Sequence, residues 1–264
     1  MRFLLLLLVS ACGSVLAAGC EEDELTSADV VELQVCAGQL VTSEQCSQEL
    51  IGNGKSYATV RVCAVVTDER RTDLVATVIA SDGQFNKPKD AASPGIAEIS
   101  LGAGRCGDVL LTAPKTLGDI RVEATLEGFR TEPIWLTVTP APVDLVTLMP
   151  GAPELEPGES NSIEIAVHAS GPNGAPLTVG SEVNVDLVPT PRNASVQAYP
   201  SKLLLDASGD AKFSLFASSR VSSVTVTATV RAPTTAAMPD PSFALETITL
   251  ARPEEEDGAG GGAN

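Results

Sequence analysis

Few of the side chains that usually carry out catalysis are present in this 264-residue sequence. It contains one histidine, and aromatic residues make up 3%. His168 alone cannot build a Ser-His-Asp triad or a zinc site of three histidines, and its strand phase points it outward. The cysteines lack C-x-x-C spacing, which excludes the common zinc and thioredoxin-like sites. We therefore predict a protein that is not an enzyme and has no metal site and no cofactor.

Cations are scarce as well. Lys and Arg number 17 against 34 Asp and Glu, which gives a formal net charge of −17. A nucleic acid backbone would be repelled, so nucleic acid is excluded as a main partner. At 44% hydrophobic and 19% charged residues, the chain is still apolar enough to form a buried core. The scarcity of aromatics means that this core must consist of Val, Leu, Ile and Ala.

The N-terminus carries a targeting signal. An apolar run from Phe3 to Val9 follows Met1-Arg2, and it is shorter than the ~20 residues of a membrane-spanning helix. This pattern predicts a signal peptide over 1–19. It ends in Leu16-Ala17-Ala18-Gly19-Cys20, which resembles a bacterial lipobox, although Ala17 stands where a large aliphatic residue is usual. The resemblance implies a lipid on the thiol of Cys20.

Two alternatives to a lipid on Cys20 stay open. A lipobox ending at Cys12 has better local residues, but only Phe3 to Leu8 would precede it as an apolar segment. Ordinary signal cleavage near Ala18 would leave Cys20 as a structural thiol. Lipidation of Cys20 leaves four cysteines in the mature chain, an even number that suits disulfides.

The residues after Cys20 are acidic. Glu21 to Glu24 lack any pattern that could bury a face, so we predict a solvated tether over 20–29. The lipid would then be the membrane contact of the protein. These features predict an envelope lipoprotein of a bacterium, at the outer membrane or the cell surface.

The rest of the chain alternates apolar and polar residues with a period of two, as in Val60–Ala64, Ile120–Leu126 and Val224–Val230. No long window shows helical periodicity, and turn clusters rich in Gly, Asp and Ser separate the short strands. This pattern predicts an all-β fold of antiparallel sandwiches. Further strands are predicted at Val31–Val35, Leu74–Ala80, Ile96–Leu101, Val109–Ala113, Ile134–Val138, Leu145–Met149, Ile163–Ala169, Val183–Leu187, Ala211–Ala217 and Phe243–Leu250.

The predicted strands repeat in the same order in two halves of the chain. The matching pairs are Val60–Ala64 with Ile163–Val167, Leu74–Val78 with Val183–Leu187, Val109–Ala113 with Ala211–Leu215, and Ile120–Leu126 with Val224–Val230. Repetition predicts two tandem domains, 30–140 and 143–251, joined by a proline-stiffened link. Residues 252–264 are acidic and rich in glycine, so we predict a disordered tail.

This arrangement resembles the bacterial immunoglobulin-like domains that form tandem stalks in adhesins of the invasin and intimin kind. The resemblance is carried by Ile163 to Leu177 and Leu205 to Ala211, and more weakly by Gly104 to Val109. It implies two immunoglobulin-like β-sandwiches that space, stiffen or present a binding tip. It carries over no ligand residue, because the matching positions lie in turns and in the core.

Three short motifs that look chemical have simpler explanations. Residues 102–107 fit G-x-G-x-x-G, but a strand follows where a dinucleotide site needs a helix. Gly54-Lys55-Ser56 ends like a phosphate-binding loop, yet Glu49 stands where its first glycine belongs. Asp206 and Asp210 could bind calcium, but a tight Gly-Asp turn accounts for them. We therefore predict turns at all three places.

The four remaining cysteines lie in the first half: Cys36, Cys46, Cys63 and Cys106. An exported chain favours two disulfides, for which three pairings are possible. Cys63 is out of phase with Val60 and Val62, so a bridge across the core is not implied. The stretch from Cys36 to Ser56 is longer than its counterpart in the second half, which suggests a bridged insertion.

The two halves differ most in that insertion and in Gln84 to Pro94, so we predict the binding surface there. Phe85, Lys87 and Lys89 would place an exposed aromatic ring and two cations on an acidic protein. The predicted function is adhesion, spacing or the binding of an unknown protein or polysaccharide partner. The alternative is a non-catalytic accessory subunit of an envelope complex that handles polysaccharide or export.

Overall fold

The computed structural model describes residues 30–39, 46–65, 74–102, 104–156, 159–235 and 241–253. The predicted signal peptide, Cys20, the acidic tether and residues 254–264 lie outside these ranges. Within them, no helix is both long and apolar enough to cross a membrane.

The described chain folds as β-strands joined by short turns. In the first half the strands are β1 (Val31–Ala37), β2 (Glu49–Ile51), β3 (Tyr57–Ala64), β4 (Val75–Ala80), β5 (Gln84–Phe85), β6 (Ile96–Ser100), β7 (Cys106–Thr112), β8 (Gly118–Leu126), β9 (Phe129–Arg130) and β10 (Ile134–Thr139). In the second half they are β11 (Leu145–Pro150), β12 (Asn161–Ser170), β13 (Glu182–Thr190), β14 (Val196–Tyr199), β15 (Lys202–Leu204), β16 (Asp210–Ala217), β17 (Ser223–Arg231) and β18 (Phe243–Ala251).

Each half is a sandwich of two sheets, and the strand order repeats. The sheet β1-β3-β7-β5 of the first half corresponds to β11-β12-β16-β14 of the second. The facing sheet β10-β8-β4-β6 corresponds to β18-β17-β13-β15. The first half adds β2, which pairs in parallel with β10, and β9, which pairs with β8. The prediction of an all-β fold with antiparallel sandwiches is confirmed.

Strict alternation explains why the chain forms these sandwiches. In β17 the buried residues Val224, Val226, Ala228 and Val230 alternate with threonines on the outer face. Each half has its own buried cluster, almost entirely aliphatic. Phe85 and Phe213 are the largest side chains at the centres of these two cores. The aliphatic core expected from the composition is therefore present, with one phenylalanine in each half.

The strand directions place the two halves end to end. β1 and β10 both finish at one end of the first sandwich, and β3 and β8 both start there. β11 and β13 of the second half start on the side of this end, and β18 finishes at the opposite side. The chain therefore enters at one end of the pair and leaves at the other.

Two expectations about single residues were wrong. Phe85 is 1% exposed and belongs to the core, so it is not an exposed aromatic of a binding loop. Its pairing with Leu111 in β7 turns the side chain inward. Arg252 is not part of a disordered tail. Its backbone amide donates to the carbonyl of Ser222 at 2.7 Å, and its guanidinium donates to the carbonyls of Val221, Glu156 and Ser218.

Candidate functional site: the junction between the two sandwiches

The junction is assembled from the insertion after β1 and from the link after β10. Pro140, Ala141 and Val143 of the link are partly or wholly buried, and Ala141 and Val143 pack into the core of the second half. The backbone amide of Gly52, in the insertion, donates to the carbonyl of Thr139 at 2.8 Å. The insertion and the link therefore form one surface, on which the second sandwich rests.

Thr178 of the second half is the central contact at this junction. It is 2% exposed. Its hydroxyl donates to the carbonyl of Gly52 at 2.8 Å and accepts a hydrogen bond from the amide of Ala141 at 2.7 Å. One side chain thus satisfies two buried backbone groups from the first half and the link. A threonine in this place fixes the insertion, the link and the second half relative to one another.

Lys115 makes a second set of contacts across the junction. Its carbonyl accepts a hydrogen bond from the amide of Val179 at 2.9 Å, and its ammonium donates to the carbonyl of Ala207 at 2.8 Å. Two separate loops of the second half are thereby bound to one loop of the first. Several bonds distributed over both loops resist bending and twisting better than a covalent link alone.

Gly52 is required by the close approach of the insertion to β10. A Cβ at this position would lie 2.7 Å from Cγ1 of Val138, closer than real side-chain contacts. The next residue, Asn53, holds the turn because its side-chain oxygen accepts from the amides of Lys55 and Ser56 at 2.8 and 2.6 Å. This turn includes the Gly54-Lys55-Ser56 segment, in agreement with the sequence prediction.

The two disulfides are Cys36–Cys46 and Cys63–Cys106, one of the three pairings left open by the sequence. Cys36–Cys46 ties the end of β1 to the part of the insertion that leads into β2. Cys63 and Cys106 lie directly opposite each other on β3 and β7, at the end of the sandwich away from the junction. The second bridge joins neighbouring strands of one sheet and does not cross the core.

The structure does not bring the predicted binding residues together. Phe85 faces the core, whereas Lys87 and Lys89 are exposed. The Lys89 ammonium lies 2.7 Å from a carboxylate oxygen of Glu98, and this hydrogen bond raises the pKa of Lys89. The insertion, which was the other predicted part of the surface, contributes Gly52 to the junction.

The remaining candidate residues hold turns. The carboxylate of Asp206 accepts from the amides of Asp210 at 3.0 Å and Ser208 at 2.7 Å, and these bonds lower its pKa. His168 is half-exposed, with Nδ1 2.8 Å from Oδ1 of Asp210. In the G-x-G-x-x-G segment, the amide of Arg105 donates to the carbonyl of Gly102. The described ranges contain no group of three His, Cys, Asp or Glu side chains that could hold a metal ion.

One exposed cluster was missed by the sequence analysis. Trp135 on β10 is 53% exposed on the outer face of the first sandwich. Its cross-strand neighbour Arg121 binds the nearly buried carboxylate of Glu123, which also accepts from Arg130. A signal was available, because Leu136 and Val138 set the inward phase of this strand and Trp135 falls on the opposite one.

Comparison with known proteins gives a likeness at the level of structure. No protein-family model and no curated protein sequence matches the chain. The solved structure of invasin, described as a bacterial integrin-binding protein, superposes with a TM-score of 0.57 at 16% identity. The match covers 84% of this chain and 39% of invasin. The fold is that of tandem bacterial immunoglobulin-like domains.

The adhesin InvE of Yersinia pseudotuberculosis also matches, with a TM-score of 0.46 at 16% identity, over 84% of this chain and 60% of that one. The chain therefore spans less than two thirds of the length of either solved chain. The predicted resemblance to immunoglobulin-like domains is confirmed for the fold. The two sandwiches are called the first and second Ig-like domains below.

Proposed function

We propose that this chain is a non-enzymatic, lipid-anchored protein of the bacterial envelope that holds a partner-binding surface at a fixed distance and orientation. The observation that carries the proposal is the junction. Two Ig-like domains, whose fold is that of invasin, are connected by the buried hydroxyl of Thr178 and by the carbonyl and the ammonium of Lys115. A pair of flexibly linked domains would have no use for these contacts.

The anchor is the part of the proposal that rests on sequence. A lipid on Cys20 would place the first Ig-like domain next to the membrane, since the described chain starts at the end of that domain away from the junction. The second domain would then project outward. Two disulfides in the first domain agree with an exported protein.

Rigidity can be tested by measuring residual dipolar couplings of the full chain in two alignment media. If the junction is rigid, one alignment tensor fits both Ig-like domains, and the derived interdomain angle is the same in both media. Two different tensors for the wild-type chain would contradict a fixed spacer.

The anchoring and binding roles are tested in a bacterial host that displays the full chain. The wild-type chain should sediment with membranes and increase attachment of the host to surfaces coated with mammalian cells or bacterial polysaccharide. Cys20→Ser should release the protein and abolish the gain in attachment. A Cys12→Ser variant serves as the matched control, because it should behave as the wild type. No gain in attachment over the host alone would contradict the proposed role.

A further inference from the structure

The only tryptophan of the chain lies on the surface rather than in a core. Trp135 projects from the outer face of the β10-β8-β4 sheet of the first Ig-like domain, and no hydrogen bond of its indole N–H occurs among the described residues. Burial of an indole ring is among the largest apolar contributions that a side chain can make to folding. Leaving this ring in solvent makes its face available to a ligand, and Trp is enriched at binding hot spots.

Two guanidinium groups on this face of the sheet are held by one nearly buried carboxylate, and one of them belongs to Arg121, the cross-strand neighbour of Trp135. Glu123 has a side chain that is 6% exposed, and its Oε2 lies 2.6 Å from Nη2 of Arg121. Its other oxygen accepts from Arg130. Each arginine uses one terminal nitrogen in this way, so further N–H donors of both guanidinium groups can reach a ligand. Arg121, Arg130 and Glu123 carry one net positive charge in a chain of −17. Asp119, which binds the hydroxyl of Thr137, adds a negative charge on the side of Arg121 away from Glu123.

The fold does not require this cluster, as the second Ig-like domain shows. Trp135 pairs with Arg121 in the first domain, and the corresponding pair of the second domain is Thr249 with Thr225. Those two hydroxyls lie 3.4 Å apart. Thr227, which corresponds to Glu123, bonds Thr247 at 3.1 Å. A plain threonine surface therefore suffices at this place, and the Trp–Arg–Glu–Arg cluster is an addition to the first domain.

The size and chemistry of the surface favour a sugar over a protein. Among the outward residues of β4, β8 and β10, the only exposed large apolar side chains besides Trp135 are Ile79 and, further along β4, Val75. The other neighbours are polar, and the hydroxyl of Thr137 donates to the carboxylate of Asp119 at 3.0 Å. A stable protein interface buries roughly 800 Å² per partner around an apolar centre, which this surface does not supply. A pyranose ring has an apolar C–H face that fits on an indole, and hydroxyls surround it.

We propose that this face binds an acidic polysaccharide, with one pyranose ring stacked on Trp135 and a uronate carboxylate held by Arg121 and Arg130. The two guanidinium groups share one carboxylate, so their remaining N–H donors are complementary to the two oxygens of a uronate. The inference rests on the proposed partner-binding role and names the chemistry of the partner.

Fluorescence of the full chain tests this directly, because Trp135 is the single tryptophan. The probe is a hexamer of galacturonic acid, compared with the same hexamer fully methyl-esterified. Binding of the acidic hexamer should shift the emission and reduce quenching by acrylamide at least twofold. The esterified hexamer should bind at least tenfold more weakly, since it lacks the carboxylates. A polyglutamate peptide should not protect Trp135.

Variants separate the two parts of the site, with binding measured by calorimetry. Trp135→Thr copies the second domain and should fold normally, yet bind the acidic hexamer at least tenfold more weakly. Arg130→Gln leaves Arg121 on Glu123 and should weaken only the acidic hexamer. Phe243→Ser removes an exposed aromatic ring of the second domain and is the matched control, with unchanged affinity.

Several outcomes would overturn the assignment. The first is an unchanged affinity of Trp135→Thr for the acidic hexamer, and the second is binding of that hexamer that leaves Trp135 fully open to quenching. The third is no binding of either hexamer at millimolar concentration. The fourth is equal protection of Trp135 by polyglutamate, which would indicate a protein partner. None of them bears on the rigidity of the junction or on the anchor. Conversely, a flexible junction with intact binding would contradict only the proposed spacer role.

Discussion

At the scale of single residues, one hydroxyl of the second domain satisfies two backbone groups at the junction, one from the insertion and one from the link. Thr178 donates to Gly52 and accepts from Ala141. Neither backbone group has access to bulk water, so the cost of removing the hydroxyl is the cost of leaving both without a partner. The sequence alone does not predict this role of Thr178, because nothing in the pattern distinguishes it from any other threonine in a turn-rich stretch.

Thr178→Val keeps the shape of the side chain and removes its hydroxyl. We expect the free energy of unfolding in guanidinium chloride to fall by about 2–6 kcal/mol, because each of the two buried groups left unpaired costs roughly 1–3 kcal/mol. Dipolar couplings should then require two alignment tensors. Thr229→Val, on the outer face of β17, is the control and should change neither quantity. Substitutions at ordinary surface positions usually change the free energy of unfolding by less than roughly 0.5 kcal/mol. A loss no larger than this for Thr178→Val would argue against the contact.

The turn at Asp206 should give a pH-dependent contribution to stability. Backbone amides of Asp210 and Ser208 hold the pKa of its carboxyl below the ordinary value of 3.8. Because the unfolded chain takes up the proton first on acidification, the contribution is fully present above pH 3.8 and is lost as pH falls through the lower native pKa. Asp206→Asn should be less stable than wild type at pH 6, and the difference should vanish in acid. A difference that stays constant with pH would contradict this account.

At the scale of elements, the long alternating strands were predicted and the short ones were not. Strands such as β12 and β17 alternate over nine or ten residues, and their pattern alone sets which side faces the core. β2, β5 and β15 have two or three residues and form because a neighbouring strand lies beside them. Phe85 was assigned to the surface for this reason: its neighbours in sequence are polar, and its burial is decided by β7.

The two disulfides act on different elements, so their removal should have different effects. Cys63–Cys106 closes a loop of 43 residues and Cys36–Cys46 one of 10. Loop-closure entropy gives a stabilisation of roughly 4 kcal/mol for the first and roughly 2.7 kcal/mol for the second. Replacing Cys63 and Cys106 by Ala should therefore lower stability more.

Replacing Cys36 and Cys46 by Ala should instead loosen the insertion and with it the junction. We expect dipolar couplings to show a wider range of interdomain angles in this variant, whereas the Cys63/Cys106 variant should keep the wild-type angle. Thermal unfolding and couplings measured on both variants make the comparison. If both variants keep the wild-type angle, the bridge at the insertion does not support the junction.

At the scale of the whole molecule, the two Ig-like domains have separate cores, and only the first contains disulfides. The sequence repeat was enough to predict this division, since the same strand order recurs with similar spacing. It could not predict the fixed junction, which depends on contacts between residues as far apart as Gly52 and Thr178. The sequence repeat could not predict the Trp–Arg–Glu–Arg cluster either, because a turn of the chain brings Arg130 beside Glu123.

We expect the second domain to fold alone, with limits slightly wider than the sequence suggests. Ala141 packs into its core, and Arg252 donates to three of its carbonyls. A fragment 141–253 should unfold cooperatively, be unaffected by reductant, and exceed the stability of 143–251. Guanidinium unfolding of both fragments with and without dithiothreitol measures this. Equal stability of the two fragments would show that the outer residues contribute nothing.

The end-to-end path of the chain has a mechanical consequence. Tension applied between Val30 and Ala251 pulls β1 along its own length, so that its seven backbone pairs with β3 bear the load together in shear. If β1 detaches from β3, the disulfide between Cys36 and Cys46 prevents the ten-residue segment that it closes from extending. At ~3.3 Å per residue this removes about 33 Å of extension. Beyond its part in the junction, the bridged insertion thus shortens the first extension step when the two domains are pulled apart at their outer ends.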